Sequence, residues 1–263
     1  MQDSTVENAA EDVAEIIGAD SKEIIFTSGA TESVNLALKG FKTDTDKNHI
    51  ITVTTEHKAV LDTCAQLEKD GFQIDYLKVD HLGNINLSEL ESLITERTLM
   101  VAVMLVNNET GVIHPIKKIS EMVHQKGCYF FCDATQAVGK IPIDVKALGI
   151  DFLTLSAHKF YGPKGIGALY VSAKAKIKLC PQILGGGQQR KLRSGTLNVP
   201  GIIGLGKASE IAVNELEKDQ NRVSLLRDKL EKGLLQFEGS FLNGNTENRI
   251  YNTSNICFPN VNS

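Results

Sequence analysis

A histidine and a lysine directly follow an apolar run in the stretch Ser156-Ala157-His158-Lys159, and a loop rich in glycine and proline comes next. A lysine amine at the end of a buried strand can lose hydration, which lowers its pKa and makes it a usable nucleophile. Lys159 is therefore a candidate for covalent catalysis. The alternative is an ordinary solvated lysine.

An aspartate occupies a comparable position. Asp133 follows the apolar run Cys128–Cys132, so we expect its carboxylate at the rim of a dry core. An ionised carboxylate is costly there unless a cation or hydrogen-bond donors meet it. Asp133 is either the partner of a positively charged group or the cap of the turn that follows.

A third candidate is the turn Ser28-Gly29-Ala30-Thr31, which joins a β-rich run to a helical pattern. Glycine permits close backbone approach, and the N–H groups at a helix N-terminus bind anions. The turn is a phosphate cradle or an ordinary capped turn. Because the chain contains neither GxxxxGK[ST] nor a strand-linked GxGxxG, a nucleotide is not the expected phosphate ligand.

These candidates lie where predicted strands end, in a chain that alternates strands with helices. The strand patterns cover 23–27, 49–53, 73–79, 99–106, 128–133, 151–156 and 166–172, and the helical patterns cover 6–18, 32–40, 58–71, 88–94 and 116–127. The alternation predicts an α/β fold, a mostly parallel mixed sheet with helices on both faces. Ligands of such sheets bind beyond the carboxyl ends of the strands.

The pattern changes after residue 200. A charge-rich amphipathic stretch covers 201–238 without a strand signal, and a single β-rich run follows at 249–258. We predict a cofactor-binding large domain over 1–200, then a connecting helix and the incomplete start of a smaller α+β domain over 201–263. Since the chain opens inside a helical pattern and closes without a cap, we expect segments to be missing at both ends.

Composition narrows the classes of function. The net charge is −4, which argues against a dedicated binder of nucleic acid or of an anionic membrane, because the affinity of such a protein comes mainly from clustered basic residues. No stretch reaches the roughly 20 apolar residues of a membrane helix, and the acidic N-terminus does not resemble a signal peptide. The five cysteines are widely spaced, which favours reduced thiols and a cytoplasmic protein. We predict no metal site.

Combined, the candidates match one cofactor. A phosphate cradle, an acid that holds a ring nitrogen protonated, an amine nucleophile and an aromatic side chain, for which His57 is the candidate, are the components of pyridoxal-phosphate chemistry.

From about residue 6 onward the chain resembles the class V aminotransferase branch of the fold-type I pyridoxal-phosphate enzymes, and in particular cysteine desulfurases. The stretches that carry the resemblance occur in the family's order, and they read FTSGATESVNLA, TEHKAVLDTC, VNNETGVIHPI, DATQAVGKIPID, SAHKFYGPKGIGALYV and GGGQQRKLRSGTLNVP.

The resemblance implies a role for each matching residue. Lys159 would bond covalently to the cofactor aldehyde and later carry a proton. Asp133 would pair with the pyridinium nitrogen, and Gln136 would bind the ring hydroxyl. His57 would stack on the ring and take part in acid–base steps, and Asn108 would contact the cofactor and orient the substrate.

The phosphate contacts are implied in the same way. The residues that would bind the phosphate are Ala30, Thr31, Ser156 and His158. Thr196 matches a residue that reaches the phosphate of the neighbouring subunit, so the resemblance also implies a homodimer with shared active sites.

The implied activity is that of a cysteine desulfurase. Sulfur would pass from L-cysteine to a nucleophilic cysteine, giving L-alanine and an enzyme persulfide. The persulfide would serve an acceptor protein, such as an iron–sulfur scaffold, or the biosynthesis of thio-cofactors and modified tRNA. The alternatives are a related selenocysteine lyase or aminotransferase, and a chain that binds pyridoxal phosphate without catalysis.

This sequence departs from the family pattern at the persulfide step. The family's persulfide cysteine and its substrate-binding arginine lie later than Ser263, and none of the five cysteines occupies the corresponding motif. We therefore expect this chain itself to be inactive or nearly so.

Overall fold

The protein is described by a computed structural model that covers residues 2–42, 46–175 and 178–259. The strands are β1 (Ile24–Thr27), β2 (Phe41–Lys42), β3 (His49–Val53), β4 (Gln73–Leu77), β5 (Thr98–Ala102), β6 (Tyr129–Asp133), β7 (Phe152–Ser156), β8 (Gly167–Val171), β9 (Lys178–Leu179), β10 (Phe241–Leu242) and β11 (Ile256–Cys257). The α-helices are α1 (Gln2–Glu15), α2 (Ala30–Lys39), α3 (Lys58–Lys69), α4 (Leu87–Leu93), α5 (Ile116–Gln125) and α6 (Val199–Leu234).

The central sheet has seven strands in the order β1-β8-β7-β6-β5-β3-β4. The pairs between β4, β3, β5, β6 and β7 are parallel, whereas β8 runs antiparallel to both β7 and β1. The prediction of a mostly parallel mixed sheet is therefore confirmed.

Helices cover both faces of this sheet, as the sequence predicts. One core contains buried residues of α1, α4, α5 and α6, and the other contains those of α2 and α3. Successive strand residues alternate between the two cores: Phe130 faces the first core, Phe131 the second and Cys132 the first. Because both faces are buried, the strands read as continuous apolar runs.

Some boundaries differ from the predicted ones. The first helix ends at Glu15 because Gly18, with φ 67°, turns the chain, and the Ala19 N–H bonds the Ala14 carbonyl. The strand predicted over 99–106 ends at Ala102, but the chain stays tied to β6, since the N–H groups of Val103 and Leu105 donate to it.

The β-structure predicted for residues 249–258 is mostly not formed. Only Ile256 and Cys257 form a strand, paired with β10. The start of the run lies instead against the turn after β5. There the Ile250 N–H donates to the Gly111 carbonyl, and Arg249 forms an isolated antiparallel β-bridge with Val112.

The long helix α6 begins near the predicted domain boundary at residue 200. Ile202 and Leu205, in its first turns, are buried in the core that α1 shares, whereas Leu225 and Leu230, further along, are exposed. The division into 1–200 and 201–263 stays a prediction. Of the helices that the structure describes, none is both long and apolar enough to span a membrane.

A glycine sets the spacing at one end of the sheet. Gly167 lies between Thr27 and Ser156 on the neighbouring strands. A Cβ on Gly167 would lie 2.5 Å from the Leu155 carbonyl oxygen and 2.8 Å from the Cα of Gly29. The turn that contains Gly29 can therefore approach the sheet only because residue 167 has no side chain.

We expect Gly167→Ala to lower the free energy of unfolding by about 1–3 kcal/mol, because the added methyl group overpacks the sheet against the Gly29 turn. Urea denaturation measures this loss. The control is Gly233→Ala in α6, where a Cβ meets no atom of the described residues within 4 Å, and where we expect a gain of about 0.5–1 kcal/mol. Equal stabilities for the wild-type and Gly167→Ala proteins would contradict the packing argument.

Candidate active site

A cavity of about 560 Å³ opens at the carboxyl ends of the central strands. Every residue that the sequence analysis placed in the site, except Thr196, lines it; these residues are Ala30, Thr31, His57, Asn108, Asp133, Gln136, Ser156, His158 and Lys159. The cavity lies where an α/β sheet of this kind is expected to bind its ligand.

The N-terminus of α2 forms one wall. Its cap residue, Gly29, has φ 152° and ψ −178°, and no side chain in the described ranges caps the helix. The first N–H groups of a helix have no partner within the helix, so those of Ala30 and Thr31 remain available to an anion. A Cβ on Gly29 would lie 3.5 Å from the Ser156 hydroxyl oxygen, so a side chain there would fill the space in front of that hydroxyl.

Glu32 also lies on this wall, although the sequence analysis assigned it no role. Its Oε2 accepts the Ser28 N–H at 2.8 Å, and its Oε1 accepts Arg193 Nε at 2.8 Å. Burial raises the pKa of Glu32, but the hydrogen bonds from Arg193 and Ser28 outweigh burial and lower the pKa overall. Arg193 therefore balances a carboxylate that would otherwise repel an anion at α2.

His57 is the N-cap of α3. Its Nδ1 accepts the Ala59 N–H at 3.1 Å, which leaves Nε2 as the ring nitrogen that can reach other groups. Because Nδ1 accepts, the neutral ring carries its hydrogen on Nε2. The side chain is exposed, and it borders the cavity.

Asp133 ends β6 and is 5% exposed. Its Oδ1 accepts the Thr135 N–H at 2.9 Å. Burial raises the pKa of Asp133, while hydrogen bonding from Thr135 and the weaker electrostatic interactions with His57 and Lys159 oppose that rise. A further cation placed against the carboxylate would favour its ionised form.

A second buried acid lies nearby. Glu56 is 5% exposed, and its Oε1 accepts the Met104 N–H at 2.6 Å. Its Oε2 is buried and has no hydrogen-bond partner among the described residues. Burial, and next the charge of Asp133, raise the pKa of Glu56 well above its usual value. Glu56 lies in the TEHK stretch, but a role was predicted only for its neighbour His57.

Asn108 reaches the cavity through a turn that Asn107 holds. The Asn107 Oδ1 accepts the N–H groups of Glu109 and Thr110 at 3.0 and 2.9 Å, and its Nδ2 donates to the Thr55 carbonyl at 3.1 Å. Asn107 therefore joins the turn that carries Asn108 to the segment that carries His57. The sequence shows the Asn-Asn pair but not which residue supports the other.

At the end of β7, Ser156 Oγ lies 3.0 Å from His158 Nδ1, within hydrogen-bond distance. Burial, and then the charges of Lys159 and Lys164, lower the pKa of His158. Lys159 is exposed, so the desolvation that the sequence suggested for it is not seen. Lys164, from the GPKG loop, adds a second cavity lysine that the sequence analysis left without a role.

Thr196 is exposed and lies outside the residues that line the cavity. The five cysteines are absent from that lining as well. Cys64, Cys128 and Cys132 are buried, and burial raises the pKa of each thiol. Within the described ranges, no group of three or more His, Cys, Asp or Glu residues is arranged to hold a metal ion.

Comparison with known proteins gives the site a family context. A family model described as aminotransferase class-V matches residues 2–263. A cysteine desulfurase IscS of Rickettsia rickettsii (strain Iowa) is 50% identical over 262 residues, which are 98% of this chain and 64% of that relative. The chain thus spans less than two thirds of the relative's length.

Solved structures agree with this match. A NifS-like protein superposes with a TM-score of 0.95 at 42% identity, over 99% of this chain and 72% of that one. The structure titled SspA in complex with cysteine gives 0.87 at 39% identity, over 98% and 73%.

Class V aminotransferases use pyridoxal 5′-phosphate, and the residues of this cavity fit that group. An uncapped helix N-terminus beside Ser156 suits a phosphate, the buried Asp133 suits a cationic ring nitrogen, and Lys159 offers an amine to the aldehyde. From the match over residues 2–263 and the fold that it shares with its solved relatives, the chain belongs to the class V aminotransferase family.

Proposed function

We propose that this chain is the cofactor-binding part of a pyridoxal-phosphate-dependent cysteine desulfurase, which takes sulfur from L-cysteine and releases L-alanine. The observation that carries the proposal is the convergence of Lys159, Asp133, His57 and the α2 N-terminus on one cavity. The 50% identity to a cysteine desulfurase favours this substrate over that of other class V enzymes.

Each wall of the cavity would hold a different part of the cofactor. Lys159 would bond to the aldehyde, Asp133 would face the ring nitrogen and Gln136 the ring oxygen. The phosphate would be bound by the N–H groups of Ala30 and Thr31, together with Ser156 and His158. When bound, pyridoxal phosphate supplies an electron sink for the charge left on a substrate carbon after its proton is removed.

The proton transfers would belong to the protein. Lys159 is exposed to the cavity, so its amine can take and return the substrate α-proton. His57 is held through Nδ1 by the Ala59 N–H, which leaves Nε2 free to exchange a proton with the substrate sulfur. Asn108, which also lines the cavity, would orient the substrate.

The thiol that attacks the substrate sulfur would come from outside the residues that line this cavity. Because none of the five cysteines lines it, we infer that a further cysteine attacks the sulfur atom. The attacking thiolate forms a persulfide S–S bond as the substrate C–S bond breaks, and the substrate carbon takes up a proton and leaves as alanine. An acceptor protein such as an iron–sulfur scaffold would then take the sulfur.

Assembly and location follow from the same proposal. Thr196 is exposed outside its own cavity, so it is available to a neighbouring subunit, and we propose a homodimer in which it reaches the other site. A cytoplasmic protein fits the widely spaced cysteines. Because no cysteine lines the cavity, a second candidate function is that this chain binds the cofactor but transfers no sulfur.

We expect the purified chain to develop the visible absorption of a lysine-bound cofactor when pyridoxal phosphate is added, and Lys159→Ala to abolish it. Lys164→Ala tests the other cavity lysine and should retain the absorption, because that residue is not proposed to bond to the aldehyde. Titration in a spectrophotometer gives the measurement. If Lys159→Ala kept the wild-type spectrum, the site assignment would be wrong.

A second prediction concerns the substrate. In D₂O we expect the loaded wild-type chain to exchange the α-proton of L-cysteine while releasing little sulfide, since the exchange needs Lys159 and the sulfur transfer needs the further cysteine. Proton NMR follows the exchange, and a sulfide assay runs in parallel. Lys159→Ala supplies the background rate. Exchange no faster than that background would contradict the proposed proton transfer by Lys159 in this chain.

A further inference from the structure

A lysine that the proposed chemistry does not use lies behind the cavity wall. Lys140 is 9% exposed, and its Nζ lies 3.1 Å from both the backbone oxygen and the side-chain Oε1 of Gln136. Burial, and then the charge of Lys159, lower the pKa of Lys140 to about 8. Lys140 is thus a buried amine attached to a residue of the cavity wall.

The charge of this lysine has no counterpart in the described part of the chain. Lys140 forms no ion pair there, and the charged group that affects it most, Lys159, has the same sign. A buried cation is costly unless an anion compensates it. Two hydrogen bonds to a neutral residue reduce that cost without balancing the charge.

The bond also fixes the orientation of the Gln136 amide. A lysine ammonium only donates hydrogen bonds, so Gln136 must turn its oxygen toward Lys140. The amide nitrogen then becomes the end of Gln136 that remains for the cavity, which this residue lines. Gln136 therefore presents N–H donors to a ligand, and the ligand atom that it meets must accept.

We propose that Lys140 is a positioning residue that holds Gln136 as a donor to an anionic oxygen of the ligand, and that this oxygen balances the buried charge of Lys140. The inference rests on the proposed function, in which the oxygen is the phenolic oxygen of pyridoxal phosphate in its deprotonated form. Lys140 is not among the residues that line the cavity, so it would act through the Gln136 amide.

The proposal concerns the bound cofactor's protonation state, so the test measures that property and not turnover. Donors and positive charge beside a phenolic oxygen stabilise its anion, which lowers the pH at which the visible absorption of the lysine-bound cofactor titrates. Without Lys140 the amide is free to rotate, and the buried charge is lost.

We expect Lys140→Met to raise the apparent pKa of the visible absorption by about 1 unit or more. Lys140→Arg keeps a donor cation at Gln136 and should restore most of the wild-type titration. Gln136→Leu should shift the titration in the same direction, and adding Lys140→Met to it should shift it little further. The loaded proteins are titrated spectrophotometrically, and intact mass after borohydride reduction confirms cofactor content.

The outcomes separate this inference from the proposed function. If the wild type develops no visible absorption with pyridoxal phosphate, the proposed function fails. If the wild type titrates and Lys140→Met titrates at the same pH, only the positioning role fails. If Lys140→Met binds no cofactor, the other two variants provide the test. The inference is overturned if Gln136→Leu titrates at the wild-type pH. It is also overturned if Lys140→Arg shifts the titration as much as Gln136→Leu does.

Discussion

The structure depends most on how the charge of Asp133 is accommodated. The carboxyl group ends the strand β6, which lies between β5 and β7 in the middle of the sheet, and it is 5% exposed. The protein itself supplies hydrogen bonding from Thr135 and weaker electrostatic interactions with His57 and Lys159. Burial still prevails and raises the pKa of Asp133, so a cationic group placed against the carboxylate would stabilise its ionised form.

The rest of the site is compatible with a cationic ligand group at Asp133. Glu56 accepts the Met104 N–H, and burial raises its pKa well above the usual value, which disfavours a second negative charge near Asp133. At the other side of the cavity Arg193 neutralises Glu32, so the N-terminus of α2 can attract an anion. One cavity can therefore hold a ligand with a positive ring and a negative phosphate. The fold achieves this by ending its strands and beginning its helices around the same space.

The sequence predicts much of this because several of the determinants are local. Apolar runs define the strands, and the residues that follow each run must meet at the carboxyl edge of a parallel sheet, which is why Lys159 and Asp133 are recognised. What could not be predicted arises from long-range contacts. Arg193 lies far along the chain from Glu32, and the burial that makes Glu56 and Lys140 informative comes from packing. The run at 249–258 fails as a strand because its first residues bind the turn at Gly111.

The central claim is that Asp133 stabilises a cationic ring nitrogen of the bound cofactor, and calorimetric titration of the apo chain with pyridoxal phosphate tests it most directly. Asp133→Asn keeps the shape and the Thr135 contact but cannot carry the negative charge. The account predicts at least a 10-fold weaker affinity for the variant, about 1.4 kcal/mol. An unchanged affinity, in a variant that melts at the wild-type temperature, would contradict it.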